Sequence, residues 1–94
     1  MAILCIQLKV RDFDRWKTWF DDDPLDRKGA GVRRYRIIRA ADDPNYVEVD
    51  LEFETTAQAK HMLSALQDGW PRRMGVIIDD PKGRIFDVAE TQEL

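Results

Sequence analysis

From Val47 to Glu54 apolar and acidic side chains alternate without a break. Val47, Val49, Leu51 and Phe53 point one way, and Glu48, Asp50, Glu52 and Glu54 the other, which is the period of a half-buried strand. The residues before it, from Gly31, read as a second, arginine-rich strand. The run Asp42, Asp43, Pro44 and Asn45 between the two suits a chain reversal, because Pro44 cannot donate to a ladder and Asp and Asn favour turns. A hairpin from Gly31 to Glu54 is the element around which the chain is organised. With Asp42 to Asn45 as its loop, opposed residue numbers sum to about 87, as antiparallel registry requires. Arg39 then opposes Glu48 and Arg33 opposes Glu54, with Ile37 against Asp50 and Tyr35 against Glu52. On this reading Arg34, Arg36, Ile38 and Ala40 share the face of Val47, Val49, Leu51 and Phe53. A slip of one residue would exchange the faces of one strand.

The same reading extends to both sides. Ala2 to Val10 forms a first strand, with Leu4, Ile6, Leu8 and Val10 on an unbroken apolar face and Ile3, Cys5, Gln7 and Lys9 on a mixed one. Asp12 is placed to cap a helix whose stripe is Phe13, Trp16 and Phe20, with Trp19 on its flank. Asp21, Asp22 and Asp23 followed by Pro24 end that helix, since a residue before proline leaves the α region. Leu25 to Ala30 reads as a short turn of helix. Thr55 and Gln58 have the spacing of a capping box, and Ala59, Met62, Leu63 and Leu66 form the stripe of a second helix closed by Gly69 and Pro71. Trp70 to Lys82 reads as a connector and Gly83 to Glu90 as a last short strand, with Phe86 and Val88 on one face and Ile85 on the other. Residues 91–94 are an expected frayed tail.

The order β-α-β-β-α-β is the split βαβ pattern of ferredoxin-like sheets. It predicts one α+β domain over residues 1–94, with a four-stranded antiparallel sheet and two helices on one face. The other face, expected to carry Ile3, Cys5, Ile85, Tyr35 and Ile37 beside the acidic row, is half-apolar. Pairing with a second copy through that face would cover it.

Composition narrows the function classes. A net charge of −3 and a pI near 5.1 argue against nonspecific nucleic-acid binding, which needs a basic surface. One cysteine and one histidine give no all-protein zinc or iron–sulfur set. An unpaired Cys5 fits a reducing, cytoplasmic setting. The apolar start, MAILCIQLKV, is too short and too interrupted for a membrane span.

The stretch from Val10 to Phe53, with Val10-x-Asp12, Trp16, Phe20-Asp21, Arg27, Gly31, Arg39, Asp43-Pro44-Asn45, Val47 and Glu52-Phe53, resembles the dimeric α+β-barrel proteins. The resemblance is to small antibiotic-biosynthesis-monooxygenase-like and cyclase-like members. It implies a pocket between helices and sheet in each protomer, and two sheets joined into an α+β barrel. The superfamily includes cofactor-free monooxygenases, haem-degrading enzymes, polyketide cyclases and lactone isomerases. Haem-degrading members use an Asn on the first strand with a Trp and a His from the second-helix region; the aligned Asn and Trp positions here are Ile6 and Met62. That departure from the pattern argues against haem, and no other cofactor is expected.

Candidate ligand contacts are Trp16, Trp19, Arg34, Arg36 and Phe53. The two arginines fall on the helix-facing side in the register above, where a buried guanidinium needs a partner or a ligand; the alternatives are escape to solvent at an edge strand or pairing with Asp21 to Asp23. Trp16 sits in the core stripe, and Trp19 is placed to form a flat pocket wall. His61 falls on the solvent face of the second helix, Cys5 is a thiol with no adjacent cation, and Tyr35 is expected at the dimer interface. Three functions follow: an enzyme performing cofactor-independent oxidation, cyclisation or isomerisation of a small aromatic molecule, a non-catalytic binder of a small hydrophobic anion, or a structural dimer.

Overall fold

A computed structural model describes all of residues 1–94. The elements run β1 (Ala2–Val10), α1 (Phe13–Asp21), β2 (Arg34–Ala40), β3 (Asp43–Phe53), α2 (Thr56–Arg73) and β4 (Ile78–Asp87). The four strands form one antiparallel sheet in the order β2-β3-β1-β4. This is the expected ferredoxin-like α+β architecture. No helix is long and apolar enough to cross a membrane.

Local signals set both helix starts. The Asp12 side chain accepts from the Arg15 backbone N–H. Thr55 and Gln58 exchange side-chain to backbone bonds in both directions, completing a capping box. Leu4, Ile6, Leu8 and Val10 of β1 pack with Val47, Val49, Leu51 and Phe53 of β3 under Trp16, Phe20, Ala59 and Met62. All are buried. Helix α2 lies close on β1, β3 and β4, whereas the backbone of α1 stands off the sheet and reaches it through long aromatic side chains. At Gly83, opposite Ile6, an added Cβ would sit 2.5 Å from Leu63 Cδ1, so glycine lets α2 settle onto the edge strand.

Three expectations need correction. Helix α2 does not stop at Gly69 and Pro71 but continues to Arg73. Proline removes one donor, yet in a last turn it interrupts little, and Trp70 on the core helps hold that turn. Consequently β4 begins at Ile78, inside what reads in sequence as connector, and ends at Asp87. Leu25 to Ala30 form a series of turns, with no helix.

The third correction is the hairpin register. Arg34 pairs with Glu52, Tyr35 with Leu51, Arg36 with Asp50 and Ile37 with Val49, one residue from the expected alignment. The reversal is tight, at Ala41 and Asp42, and the register then jumps, so that Ala40 pairs with Asp43 while Arg39 pairs with Val47. Pro44, Asn45 and Tyr46 are left without partners on β2. Arg39 Nε closes this irregularity by donating to the Pro44 carbonyl at 2.8 Å. The slip exchanges the faces of β2, as strand geometry requires. Tyr35 and Arg39 now face the helices, Tyr35 packing edge-on against Phe20 at 5.1 Å and Arg39 lying 4.0 Å over the Phe13 ring. Arg34 and Arg36 face the open side. Tyr35, Ile37 and Ile85 accordingly leave the open face, Ile85 because it pairs with buried Leu4.

Candidate functional site

Because α1 stands off the sheet, a cavity of about 60 Å³ remains between them. Its floor is Ile6 and Leu8 of β1, Val49 and Leu51 of β3 and Ile78 of β4. Helix α1 supplies Trp16, Trp19 and Phe20, and α2 supplies Met62, Leu66 and Trp70. The α1–β2 loop lines the remaining side through Asp23, Pro24, Leu25 and Arg27, and because Pro24 and Leu25 are exposed we take that side as the mouth. All three tryptophans of the chain therefore line one space. Ile6 and Met62 supply apolar wall.

Arg27 and Asp23 are the only ionisable groups in the lining. The Arg27 side chain is 16% exposed, so its charge sits largely out of water. Its guanidinium stacks 3.8 Å from the Phe20 ring centroid and 5.0 Å from that of Tyr35. Nη1 donates at 2.7 Å to the Phe20 carbonyl at the C-terminal end of α1, which also accepts from the Asp23 backbone N–H at 3.1 Å. Asp23 Oδ1 accepts from the Arg27 backbone N–H at 2.9 Å and lies 3.4 Å from Nη1. Asp23 holds φ 53° and Asp26 φ 49°, left-handed conformations that Asp tolerates better than most residues. The loop is thus folded back onto the cavity by its own side chains.

Of the sequence candidates, Trp16 and Trp19 are brought to the cavity. Trp16 is buried and Trp19 half-buried, with the Arg73 guanidinium 4.5 Å over its ring. Phe53 is fully buried beside Ala2 and lies outside the cavity. Arg34 and Arg36 do not reach it. They pair with Glu52 and Asp50 on the open face, with side chains 76% and 71% exposed. The Glu52 contact raises the Arg34 pKa further. Tyr35 is turned to the helix side and His61 is exposed. Arg27, Asp23 and Trp70 are cavity residues that the reading of the chain did not single out as site residues. The spacing of Asp23 and Arg27, four apart in a turn-forming segment, is the one signal that pointed to them.

The open face carries a second cluster. One ligand-type atom each from Cys5, Glu48 and Asp50 lie within 4.8 Å of one another. Burial, and after it the neighbouring Asp50, push the Cys5 thiol up to about 12. The thiol is therefore protonated and unreactive at neutral pH.

No sequence-family description matches the chain, and no curated protein matches it. Solved structures do. A provisionally named antibiotic biosynthesis monooxygenase from Deinococcus radiodurans superposes with a TM-score of 0.77 at 10% identity, covering 100% of this chain and 98% of that one. A protein given the same provisional name, from Nitrosomonas europaea, superposes at 0.59 with 19% identity, covering 96% and 100%. A dimeric ferredoxin-like protein from an uncultured marine organism superposes at 0.66 with 8% identity, covering 100% of both chains. At such identities the likeness establishes the fold alone, and the chain shares the ferredoxin-like fold of these structures.

Proposed function

We propose that the cavity between helices and sheet is a binding site for a small aromatic molecule, and that the protein acts there as a cofactor-independent monooxygenase- or cyclase-type enzyme. The observation that carries this reading is the lining: three indoles and an aliphatic floor around one nearly buried guanidinium. Ligand pockets of this kind combine apolar walls with a few placed polar groups. A phenol or carbon acid that has given its proton to solvent would set its enolate oxygen against Arg27, where a low-dielectric wall strengthens the attraction. The enolate can then give electrons to dioxygen or close onto an internal electrophile. The likeness to structures provisionally named as monooxygenases supports that reaction class.

The test is oxygen uptake by purified protein with dihydroxynaphthalenes, compared with the spontaneous rate and with Arg27→Met. Uptake above the spontaneous rate that disappears in the variant is the expected result. Binding without turnover would instead favour a non-catalytic binder. One observation favours that second reading: Asp23, the only carboxylate in the lining, is already committed to Arg27.

The open sheet face is the proposed contact between two copies. Ile38 and Phe86 on it are 42% and 47% exposed, beside half-buried Ile3 and Tyr46, a cost that pairing would remove. The free Cys5 thiol supports a reducing, cytoplasmic setting.

A further inference from the structure

Arg27 is firmly held and chemically underused. A guanidinium offers five N–H donors, and this one makes a single side-chain hydrogen bond, to the Phe20 carbonyl. The only anion near it is Asp23, whose Oδ1 stands 3.4 Å from Nη1 and is already engaged by the Arg27 backbone N–H. A charge in an apolar wall is costly unless an anion pairs with it closely. Asp23 fills that role incompletely, and it does so from the cavity mouth.

The space itself points the same way. A volume of about 60 Å³ is less than half the roughly 150 Å³ that takes up a benzene in an apolar protein cavity. An aromatic ligand enters only if a wall moves. Asp23, Pro24 and Leu25 are the wall segment on the surface, and they are tied down through the Asp23–Arg27 contact. Releasing that carboxylate frees the mouth and the cation together.

Resting on the binding site proposed above, we infer that Asp23 stands in for the ligand's own anion, and that the cavity selects planar aromatic mono-anions, carboxylate or enolate. The ligand's two coplanar oxygens, or its single enolate oxygen, take the unused guanidinium donors, while its ring lies among Trp16, Trp19 and Trp70. Bidentate pairing of this sort is what arginine, unlike lysine, is shaped for. Asp23 is then a competitor for Arg27 and sets the affinity of the site from within.

The experiment is calorimetric titration of the wild-type chain, Asp23→Asn and Arg27→Met with 1-naphthoate and with its neutral counterpart 1-naphthamide. Asn keeps an oxygen for the Arg27 backbone N–H and tolerates the left-handed conformation, but removes the charge. Wild type should prefer naphthoate by about tenfold, or about 1.4 kcal/mol. Asp23→Asn should widen that preference by roughly another tenfold, and Arg27→Met should abolish it. Equal binding of acid and amide by wild type would overturn the inference while leaving the binding site standing. Failure of both compounds to bind any variant would overturn the inference and the site together. Weaker naphthoate binding by Asp23→Asn would overturn the competition. That arm decides even if Arg27→Met does not fold.

Discussion

Leu4, Ile6 and Leu8 on the helix-covered face of β1 are at most 5% exposed. One step along the same strand, Ile3, Cys5 and Gln7 face the open side, opposite Glu52, Asp50 and Glu48 of β3 and Phe86, Arg84 and Lys82 of β4. The covered face is an apolar core, and the cavity between α1 and the sheet has a single guanidinium in its lining. The open face is a lattice of charges: Arg34 with Glu52, Arg36 with Asp50, and Gln7 donating to Glu48 at 2.9 Å. An exposed cation with a carboxylate partner has little left to offer a ligand, because water and the partner already satisfy it. The same group out of water, with its donors idle, has much to offer. Arginine count does not locate the site; the surroundings of each arginine do.

Substitutions on the two faces should separate sharply. Phe53→Ala, at a fully buried position, should cost about 3–5 kcal/mol in urea unfolding. That is a large part of the roughly 5–15 kcal/mol typical of a domain. Pairing of copies is the next largest effect. Light scattering should show twice the 11.0 kDa of one chain, and Ile38→Asp with Phe86→Asp should return the single-chain mass without lowering helix content. A single-chain mass in the wild type would remove the open face as an interface. Gly83→Ala should cost about 1–3 kcal/mol, since the new methyl meets Leu63. The neighbouring Lys82→Ala, on the other face, should leave the urea midpoint unchanged.

A smaller effect comes from Cys5. Its folded pKa is raised to about 12, so the unfolded chain loses this proton first as pH rises. The contribution is fully present below the unfolded pKa, about 8.5, and is lost as pH climbs from there towards 12. Stability measured across that window should fall more steeply in wild type than in Cys5→Ala. Iodoacetamide at pH 8 should label the folded chain far more slowly than the urea-unfolded one. Smallest of all, Arg34→Ala should leave the unfolding midpoint where it is.

Most of the fold was legible in the chain. Alternation in β1 and β3, the Asp12 cap, the Thr55–Gln58 box and the first-helix stripe each agree with the structure, because each depends on neighbours in sequence. The register of β2 does not. A four-residue loop and a tight reversal followed by an irregularity differ by one step, and the Asp-Asp-Pro-Asn run suits both. What decides is tertiary: Tyr35 against Phe20 and Arg39 against Phe13 reward one face, and Arg34 and Arg36 opposite Glu52 and Asp50 reward the other. The residues alone do not separate the two faces, since Tyr35 and Ile37 stand with Arg33 and Arg39 on one and Ile38 and Ala40 with Arg34 and Arg36 on the other. The site followed the register. With β2 turned over, Arg34 and Arg36 face away from the cavity, and the cation in its lining comes from a loop whose packing no periodicity describes. Trp16 and Trp19 were legible because α1 is regular; Trp70 was missed because α2 runs past Gly69 into what reads as a connector.

The central claim is that binding belongs to the covered face and Arg27, and that the open face takes no part in it. Amide and side-chain ¹⁵N spectra recorded during addition of 1-naphthoate test this directly. The account predicts that the three indole N–H signals and the Arg27 Nε–H signal shift together and saturably, while the amides of Ile3, Cys5, Arg34 and Arg84 stay in place. Shifts confined to the Arg34, Arg36 and Arg84 signals, with the indoles unmoved, would contradict it.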